Sequence, residues 1–358
     1  MTGRSTQSAA GTSVSDAPGR SPQPNATGRS GTLQGVPGDP VVLMRGVTKR
    51  FGEFTAVSEL ELTVPRGGLV AMIGPSGCGK TTTLRLLLGV YEPTEGECLV
   101  FGQPSHHIRR PVRERIGYLP QQFVLYPTLT VEENLGFAAA TYGLGPLRRR
   151  RNQHALLELV GLTEARKKLA RDISGGMQRR LALAATLIHQ PDLIFLDEPT
   201  AGIDPILREQ LWQEFRRLQD DGRTQFVTTQ YIAEAEYCDT VILMDQGKIV
   251  AHGAPEELRQ SAAGGDLIDL TSPDLDRPMR DRLRALPGVR ALQMTHEDQI
   301  RLTVEDAGEL IPRVMTAVQE GGGTVRAIEE RRLSFSEVFV TILQQHGRTD
   351  AGVGRYDE

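Results

Sequence analysis

Three short stretches of the sequence combine residue types and spacings that suit chemistry on phosphate groups. The first, GPSGCGKT at residues 74–81, fits the pattern G-x-x-x-x-G-K-[ST] at every fixed position. Its glycines let backbone N–H groups curl around phosphates, and the N-terminus of the following helix adds positive potential. Lys80 supplies a point charge for the β- and γ-phosphates, and the Thr81 hydroxyl can ligate Mg²⁺. The predicted nucleotide-binding residues of this phosphate loop are Gly74, Pro75, Ser76, Gly77, Cys78, Gly79, Lys80, Thr81 and Thr82.

The second stretch, LIFLDEP at residues 193–199, places two acids at the end of an apolar strand. Asp197 is predicted to hold Mg²⁺, directly or through water, as P-loop enzymes require. Glu198 is predicted to face the γ-phosphate and to polarise the attacking water. Together with the phosphate loop, this strand predicts hydrolysis of a Mg-nucleotide.

The third stretch, ISGGMQRRLALAATLIHQ, places Ser174, Gly175 and Gly176 at the start of an amphipathic helix. Such a helix N-terminus is a second phosphate site, yet one γ-phosphate hardly needs two helix termini from one chain. A second copy of the protein resolves this, because each nucleotide can then lie between one chain's phosphate loop and its partner's Ser-Gly-Gly. In isolation the motif fits a glycine-rich helix cap equally well, and its place between the other two motifs favours the phosphate site.

Alternating strands and helices must position these motifs. LVAMIG (69–74) is a continuous apolar run that enters the phosphate loop, which predicts a central, fully buried strand. VVLMRGVTKRF and FTAVSELELTV predict an antiparallel patch, and residues 128–190 show mainly helical apolar spacing. The arginine run at 148–151 is predicted to be a solvated helix start, with contact to anionic lipid headgroups as the alternative. Strands and helices then alternate up to a hairpin that turns at residues 246–247.

A second folded unit begins near residue 265. Its order β-α-β-β-α-β, followed by a helix in LSFSEVFVTILQQ, matches the ferredoxin-like arrangement. Both ends of the chain offer little to bury and are predicted to be disordered. The predicted organisation is a tail at 1–38, a nucleotide-binding domain at 39–262 with a helical subdomain at about 122–190, an α+β accessory domain at 265–346 and a tail at 347–358.

Composition excludes several classes of protein. The chain of 358 residues is 39% hydrophobic and 24% charged, as is ordinary for a globular protein, and its net charge of −4 gives no argument for a nucleic-acid partner. No run approaches the roughly 18–20 apolar residues that span a bilayer, and the N-terminus lacks the apolar region of a secretory signal. Its 3 cysteines make no zinc spacing and no disulfide framework, so we expect a reduced, cytoplasmic protein.

Taken together, the motifs resemble those of the ATP-binding-cassette (ABC) ATPases, and the resemblance covers residues about 41–262. It implies the P-loop NTPase fold of that family, a mixed α/β sheet with an antiparallel patch and a helical subdomain, and it implies ATP and Mg²⁺ as ligands. By the same resemblance, Phe51 stacks on adenine, Gln121 senses Mg²⁺ and the membrane subunit, and Asp204 lies at the dimer seam. A core aromatic at Phe51 and a solvated loop residue at Gln121 are the alternatives.

Two positions depart from the family's pattern. ISGGM is similar to the Leu-Ser-Gly-Gly-Gln signature, from which Ile173 and Met177 differ. Gln230, in FVTTQY, stands where most of the family has a histidine that contacts the γ-phosphate. A glutamine amide can donate a hydrogen bond there but does not ionise near neutral pH. Because the phosphate loop, Asp197 and Glu198 are all present, we expect Glu198 and Gln230 to be catalytic, with a site weakened in hydrolysis as the alternative.

The narrower resemblance is to ATPase subunits of daunorubicin-resistance-type drug exporters. It depends on SGGM followed by QRRLALA, on TTQY before a short acidic helix, on DQGKIVAHG and on LSFSEVF. It implies a homodimer on the inner face of the cell membrane, paired with separately encoded permease subunits. Exporters of lipids or polysaccharides, importers and non-transport ABC ATPases are the alternatives.

Overall fold

A computed structural model describes residues 40–122 and 124–346, so the predicted tails at 1–38 and 347–358 lie outside the described residues. Within these ranges the strands are β1 (Val42–Phe51), β2 (Phe54–Val64), β3 (Leu69–Ile73), β4 (Glu95–Val100), β5 (Gln103–Pro104), β6 (Ile116–Leu119), β7 (Leu193–Asp197), β8 (Thr224–Thr229), β9 (Thr240–Asp245), β10 (Lys248–Gly253), β11 (Asp266–Thr271), β12 (Val289–His296), β13 (Gln299–Val304) and β14 (Ala327–Arg331). The α-helices are α1 (Lys80–Leu87), α2 (Arg110–Arg113), α3 (Val131–Thr141), α4 (Pro146–Leu159), α5 (Gly175–Leu187), α6 (Pro205–Asp220), α7 (Pro255–Ala263), α8 (Arg277–Arg284), α9 (Ala307–Glu320) and α10 (Phe335–Gln345). Short 3₁₀ helices cover Ser105–His107, Ala170–Asp172 and Ile232–Tyr237.

A central sheet in the order β10-β9-β3-β8-β7-β6 carries the functional loops. Strands β9, β3, β8, β7 and β6 pair in parallel, and β10 returns antiparallel to β9 through the predicted hairpin. All five residues of β3 are buried, as their unbroken apolar run predicts. Because the carboxyl ends of parallel strands meet at one edge of a sheet, the loops after β3, β6, β7 and β8 share that edge.

A second sheet and a helical layer flank the central one. β2, β1, β4 and β5 form the predicted antiparallel patch, and its apolar face packs against one side of the central sheet. α3, α4 and α5 enclose their own apolar cluster, which includes Leu135, Leu157 and Leu181. The predicted arginine run lies in the first turns of α4, where Arg148 and Arg150 are exposed. No helix among the described residues combines the length and apolarity needed to cross a bilayer.

The accessory sheet has the order β12-β13-β11-β14 with antiparallel pairing throughout, and α8 and α9 connect its strands in the order β-α-β-β-α-β. This is the predicted ferredoxin-like arrangement, which the structure confirms. Alternate residues of β13, namely Ile300, Leu302 and Val304, are buried toward the helices, whereas their neighbours are half-buried. The period of two therefore places one face of the sheet in a core of its own.

The last helix does not pack in the accessory core. Phe335, Val338, Phe339 and Ile342 of α10 belong to the apolar cluster of the central sheet, together with Trp212 of α6. The sequence predicts this helix at the end of the accessory unit, and the structure returns it to the first domain. Its apolar spacing at i, i+3, i+4 and i+7 makes one buried stripe, which needs a partner surface but does not specify which one.

Candidate active site

The predicted chemical residues lie at the carboxyl edge of the central sheet. The phosphate loop follows β3, Asp197 ends β7, Gln230 follows β8 and Gln121 follows β6. Strands β6, β7, β8 and β3 are consecutive neighbours, so sheet topology brings together loops that are far apart in sequence. This edge is where open α/β sheets place ligands.

Backbone shape in the phosphate loop depends on glycine. Gly79 has φ of 111°, and a Cβ there would lie 2.7 Å from Met244 Cε and 2.9 Å from Val57 Cγ1. Only glycine accepts both this conformation and this crowding. The Lys80 ammonium, which is 5% exposed, donates hydrogen bonds to the carbonyls of Gly74 (2.7 Å) and Pro75 (3.1 Å). Lys80 thus begins α1 with its charge held inside the curl of the loop.

Oxygen donors converge beside the first turn of α1. The Thr81 hydroxyl lies 3.4 Å from Asp197 Oδ1, and Thr228 Oγ1 donates to the same oxygen at 2.6 Å. Asp197 is 1% exposed, so its carboxylate depends on these partners. Two hard oxygen ligands, the Thr81 hydroxyl from α1 and the charged Asp197 carboxylate from β7, fit Mg²⁺. The structure brings Thr81 and Asp197 together, whereas Gln121, the third predicted metal contact, points to a different carboxylate.

That carboxylate is Glu198, whose backbone is unusual. Its φ of 47° lies in the left-handed region, which costs a non-glycine residue about 1–2 kcal/mol. The Glu198 N–H donates to the Thr228 carbonyl at 2.9 Å, and the side-chain amide of Gln121 donates to Glu198 Oε2 at 2.7 Å. Glu198 is half-buried, and backbone strain of this kind persists only where the surrounding structure holds the residue in place.

Arg179 of α5, which no motif predicted, binds the backbone of the turn that contains Glu198. This side chain is 5% exposed and donates to four main-chain carbonyls: Pro199 at 3.0 Å, Gln121 at 2.7 Å, Asp197 at 3.3 Å and Glu198. Burial lowers the pKa of its guanidinium, while the charges of Asp197 and Glu198 raise it. The only sequence signal was an arginine at an inward position of an amphipathic helix.

A second buried group missed by sequence analysis is Glu234, in the 3₁₀ helix after Gln230. It is 1% exposed and accepts a hydrogen bond from the Thr200 hydroxyl at 2.6 Å, with Arg208 Nε at 3.7 Å. Burial raises the pKa of Glu234, and the hydrogen bond from Thr200 opposes this. Glu234 therefore ties the segment after Gln230 to the turn after Glu198.

Of the other predicted residues, Gln230 and Phe51 are exposed, whereas Cys78 is buried. Gln230 is exposed directly after β8, and Phe51 is 43% exposed with its ring edge-to-face on Tyr91 at 5.1 Å. Phe51 is therefore not a core aromatic. Cys78 is buried in the phosphate loop, and this burial raises the pKa of its thiol, so it is a packing residue.

The Ser-Gly-Gly motif begins α5, as the sequence predicts. Ser174 is the N-cap and its hydroxyl accepts from the Met177 N–H at 3.3 Å, while Gly175 is exposed and Gly176 is half-buried. Asp204 is the exposed N-cap of α6 and accepts from the Leu207 N–H at 3.0 Å. Both helices therefore have capped N-termini in addition to the roles predicted for these residues.

Comparison with known proteins places this geometry in a family. Residues 57–201 match the family described as ABC transporter, and residues 253–343 match the ATP-binding protein DrrA1-3-like C-terminal domain. The Nod factor export ATP-binding protein I of Cupriavidus metallidurans is 35% identical over 303 residues, which cover 84% of this chain and 97% of that protein. The chain belongs to the ABC transporter ATP-binding proteins. It is accordingly an ATPase subunit with the P-loop ABC fold, and the predicted family, fold class and activity are confirmed.

Other members of the ABC family show similar agreement. The daunorubicin resistance ATP-binding protein DrrA3 of Streptomyces coeruleorubidus is 35% identical over 303 residues, 84% of this chain and 95% of that protein. The probable multidrug ABC transporter ATP-binding protein YbhF of Escherichia coli is 38% identical over 240 residues, 67% of this chain but 42% of YbhF, so the chain spans less than half of that relative. The dimeric ATP-binding cassette MJ0796, solved with ADP and Pi, is 29% identical with a TM-score of 0.55 and covers 60% of this chain and 98% of its own.

Proposed function

We propose that two copies of this chain close around two Mg-ATP and that hydrolysis reopens them. In this cycle the dimer powers a separate membrane permease that exports a drug, an antibiotic or another lipophilic compound. The observation that carries the proposal is the hydrogen bond between Gln121 and Glu198, which joins the predicted permease-sensing loop to the predicted catalytic carboxylate.

Each residue at the sheet edge has a chemical task in this cycle. Lys80 leaves the loop carbonyls to neutralise the β- and γ-phosphates, while Thr81 and Asp197 hold Mg²⁺. When bound, the metal neutralises charge on the phosphates. Glu198, which follows β7 and whose carboxylate accepts a hydrogen bond from Gln121, accepts a proton from the attacking water. Gln230 donates its amide hydrogen to the γ-phosphate.

The dimer supplies the opposite wall of each nucleotide site. The phosphate loop packs against Val57 and Met244, whereas a Cβ on Gly176 would lie 3.4 Å from Leu207 of α6. The two phosphate-binding helix termini therefore have different neighbours within one chain. Pairing two chains lets the Ser-Gly-Gly of one meet the phosphate loop of the other, with Asp204 near the seam.

A permease-docking surface follows the Gln121 loop. Val124 is 86% exposed, Tyr126 45% and Phe137 49%, and the rings of Tyr126 and Phe137 meet at 4.6 Å. Clustered exposed apolar side chains are typical of protein interaction sites. The relatives' names include Nod factor export, multidrug transport and daunorubicin resistance, which supports export of a drug or of a related compound. A lipid or a polysaccharide is the second candidate cargo.

The substitution Glu198→Gln tests the catalytic assignment. It keeps the hydrogen bond to Gln121 within reach but removes the base, so steady-state ATPase activity falls by about 100- to 10,000-fold. The variant accumulates as an ATP-bound dimer, detected by size-exclusion chromatography with light scattering. Lys80→Ala, which loses the phosphate charge, stays monomeric under the same conditions. Normal hydrolysis by Glu198→Gln would show that another group is the base.

The trapped variant also identifies the permease and the cargo. Tagged Glu198→Gln with ATP is expected to retain a membrane protein from detergent-solubilised native membranes, and Phe137→Glu in the same background is expected to lose it. Vesicles that contain the recovered complex are then assayed for ATP-dependent movement of an anthracycline or of a lipid-linked saccharide. Recovery of a solute-binding protein instead would indicate an importer.

A further inference from the structure

The guanidinium of Arg179 connects α5, the helix that begins at the Ser-Gly-Gly motif, to the turn after β7 that contains Glu198, here called the catalytic turn. From its position on α5 it donates to the carbonyls of Asp197, Glu198 and Pro199, and to that of Gln121. These acceptors belong to two loops that follow different strands, β7 and β6. One side chain therefore fixes the spacing between the two loops.

Packing alone does not explain an arginine here. Burial of a guanidinium is costly unless its donors are paired, and an apolar residue of similar length would fill the volume without that cost. The planar fork of arginine suits several acceptors at once, which the single ammonium of a lysine does not. Arg179 uses this fork to donate to four main-chain carbonyls around Glu198.

Both backbone polar groups of Glu198, its N–H and its carbonyl, are hydrogen-bonded. Its N–H donates to the Thr228 carbonyl of β8, and its carbonyl accepts from Arg179. Arg179 also holds the backbone of Gln121, whose amide bonds the Glu198 carboxylate at 2.7 Å. Loss of the guanidinium would thus release the strained backbone of Glu198 and the partner of its side chain together.

The same helix begins at the Ser-Gly-Gly motif. Arg179 lies about 7.5 Å along the helix axis from Ser174, since each residue of an α-helix rises about 1.5 Å. A helix of 13 residues moves as a rigid unit, so displacement of its N-terminus displaces Arg179. We propose that Arg179 is a positioning residue, which couples contact between the Ser-Gly-Gly terminus and the partner's ATP to the placement of Glu198 and Gln121. This coupling rests on the proposed two-site dimer. It would make ATP binding and hydrolysis at the two sites cooperative.

Arg179→Gln and Arg179→Lys in the full chain test this coupling. We expect kcat to fall about 10- to 100-fold, as for other groups that orient a reacting residue, with the KM for ATP within about twofold of the wild-type value. The Hill coefficient for ATP is expected to fall toward 1. Failure of the lysine variant to restore either quantity would indicate that the fork, not the charge, is required.

Arg180→Gln is the matched control. Arg180 is the next residue of the helix, and its guanidinium donates to the Val160 carbonyl at 2.8 Å in the helical layer. Its loss removes the same charge and one main-chain contact without touching the catalytic turn. We expect kcat and the Hill coefficient of this variant to stay near wild type.

The outcomes separate the two proposals. A wild-type chain that neither dimerises with ATP nor hydrolyses it refutes the proposed function. A wild-type chain that hydrolyses ATP without cooperativity, or Arg179 variants that lose melting temperature but keep kcat and the Hill coefficient, overturn the coupling alone. If Arg179→Gln fails to fold, as judged by circular dichroism, the lysine variant carries the test.

Discussion

Gln230 is an uncharged group at a position where the resemblance implies an ionisable one. It is exposed beyond β8, whose Thr228 bonds both Asp197 and the Glu198 backbone. In the proposed cycle, the Gln230 amide would donate a hydrogen bond to the γ-phosphate without ionising near neutral pH. The proposal therefore assigns this position a geometric role that does not require a charge.

Substitution of Gln230 tests this interpretation. Gln230→Ala removes the donor, so the ATPase rate is expected to fall on the order of 100-fold, as on removal of other preorganised donors. Gln230→His restores a donor whose ordinary pKa is about 6.5, so its rate should depend on pH between about 5.5 and 7.5, unlike wild type. Steady-state assays across that range measure both effects. An unchanged rate for Gln230→Ala would mean that the residue is not a γ-phosphate sensor.

The site residues fall into two groups, those that a short sequence motif identifies and those that only long-range contacts identify. Lys80, Thr81 and Asp197 sit in motifs whose strand and loop context is readable within a few residues. Arg179 and Glu234 act through contacts far away in sequence, with main-chain carbonyls and with the Thr200 hydroxyl. A carbonyl acceptor has no side-chain identity, so no residue pattern marks it. Such groups become visible only when the sheet edge is assembled.

Among the elements, α10 joins the accessory unit to the ATPase core. Phe339 is 1% exposed in the cluster around Trp212, and Arg259 of α7 donates to the carbonyl of Leu333 just before the helix at 3.0 Å. The same arginine bonds Glu236 in the 3₁₀ helix after Gln230. The accessory unit is therefore fastened to the segment that carries the predicted γ-phosphate sensor.

Truncation of one side chain of α10 should destabilise the ATPase domain. Phe339→Ala leaves a cavity in that cluster and is expected to cost about 3–5 kcal/mol of unfolding free energy. Urea denaturation monitored by the fluorescence of Trp212, which lies in the same cluster, measures the loss. Ser336→Ala, at an exposed position of the same helix, is the control and should change little. A midpoint unchanged by Phe339→Ala would show that α10 does not pack there in solution.

The sequence predicted the order of the strands and helices better than it predicted which elements pack against each other. The period of two in β13 and the apolar run of β3 predicted their burial, and both are observed. The buried stripe of α10 predicted a helix but left two surfaces on which it could pack. Side-chain volume and shape decide between such surfaces, and a binary pattern of apolar and polar residues does not contain them.

Across the whole molecule, two buried carboxylates have pKa values shifted in opposite directions. Burial raises the pKa of Glu234, and the hydrogen bond from the Thr200 hydroxyl and the charge of Arg208 oppose this only in part. Burial also acts on Asp269 of β11, but the paired hydrogen bonds from Arg301 and the charge of Arg331 outweigh it and lower its pKa. Glu234 lies in the ATPase domain and Asp269 in the accessory sheet, so the contributions of these two groups to stability change in opposite directions with pH.

Linkage gives each carboxylate a distinct pH signature. Asp269 contributes stability that is present above its unfolded pKa of about 3.9 and is lost as pH falls through its lower folded pKa. Asp269→Asn should therefore lower the urea midpoint most at pH 7, with the deficit shrinking below about pH 4.

Glu234 contributes stability that is present below about pH 4.3 and is lost as pH rises through its raised folded pKa. Glu234→Gln should gain relative to wild type as pH rises from 4 to 8, and a shift of the same sign in both variants would contradict the assignment.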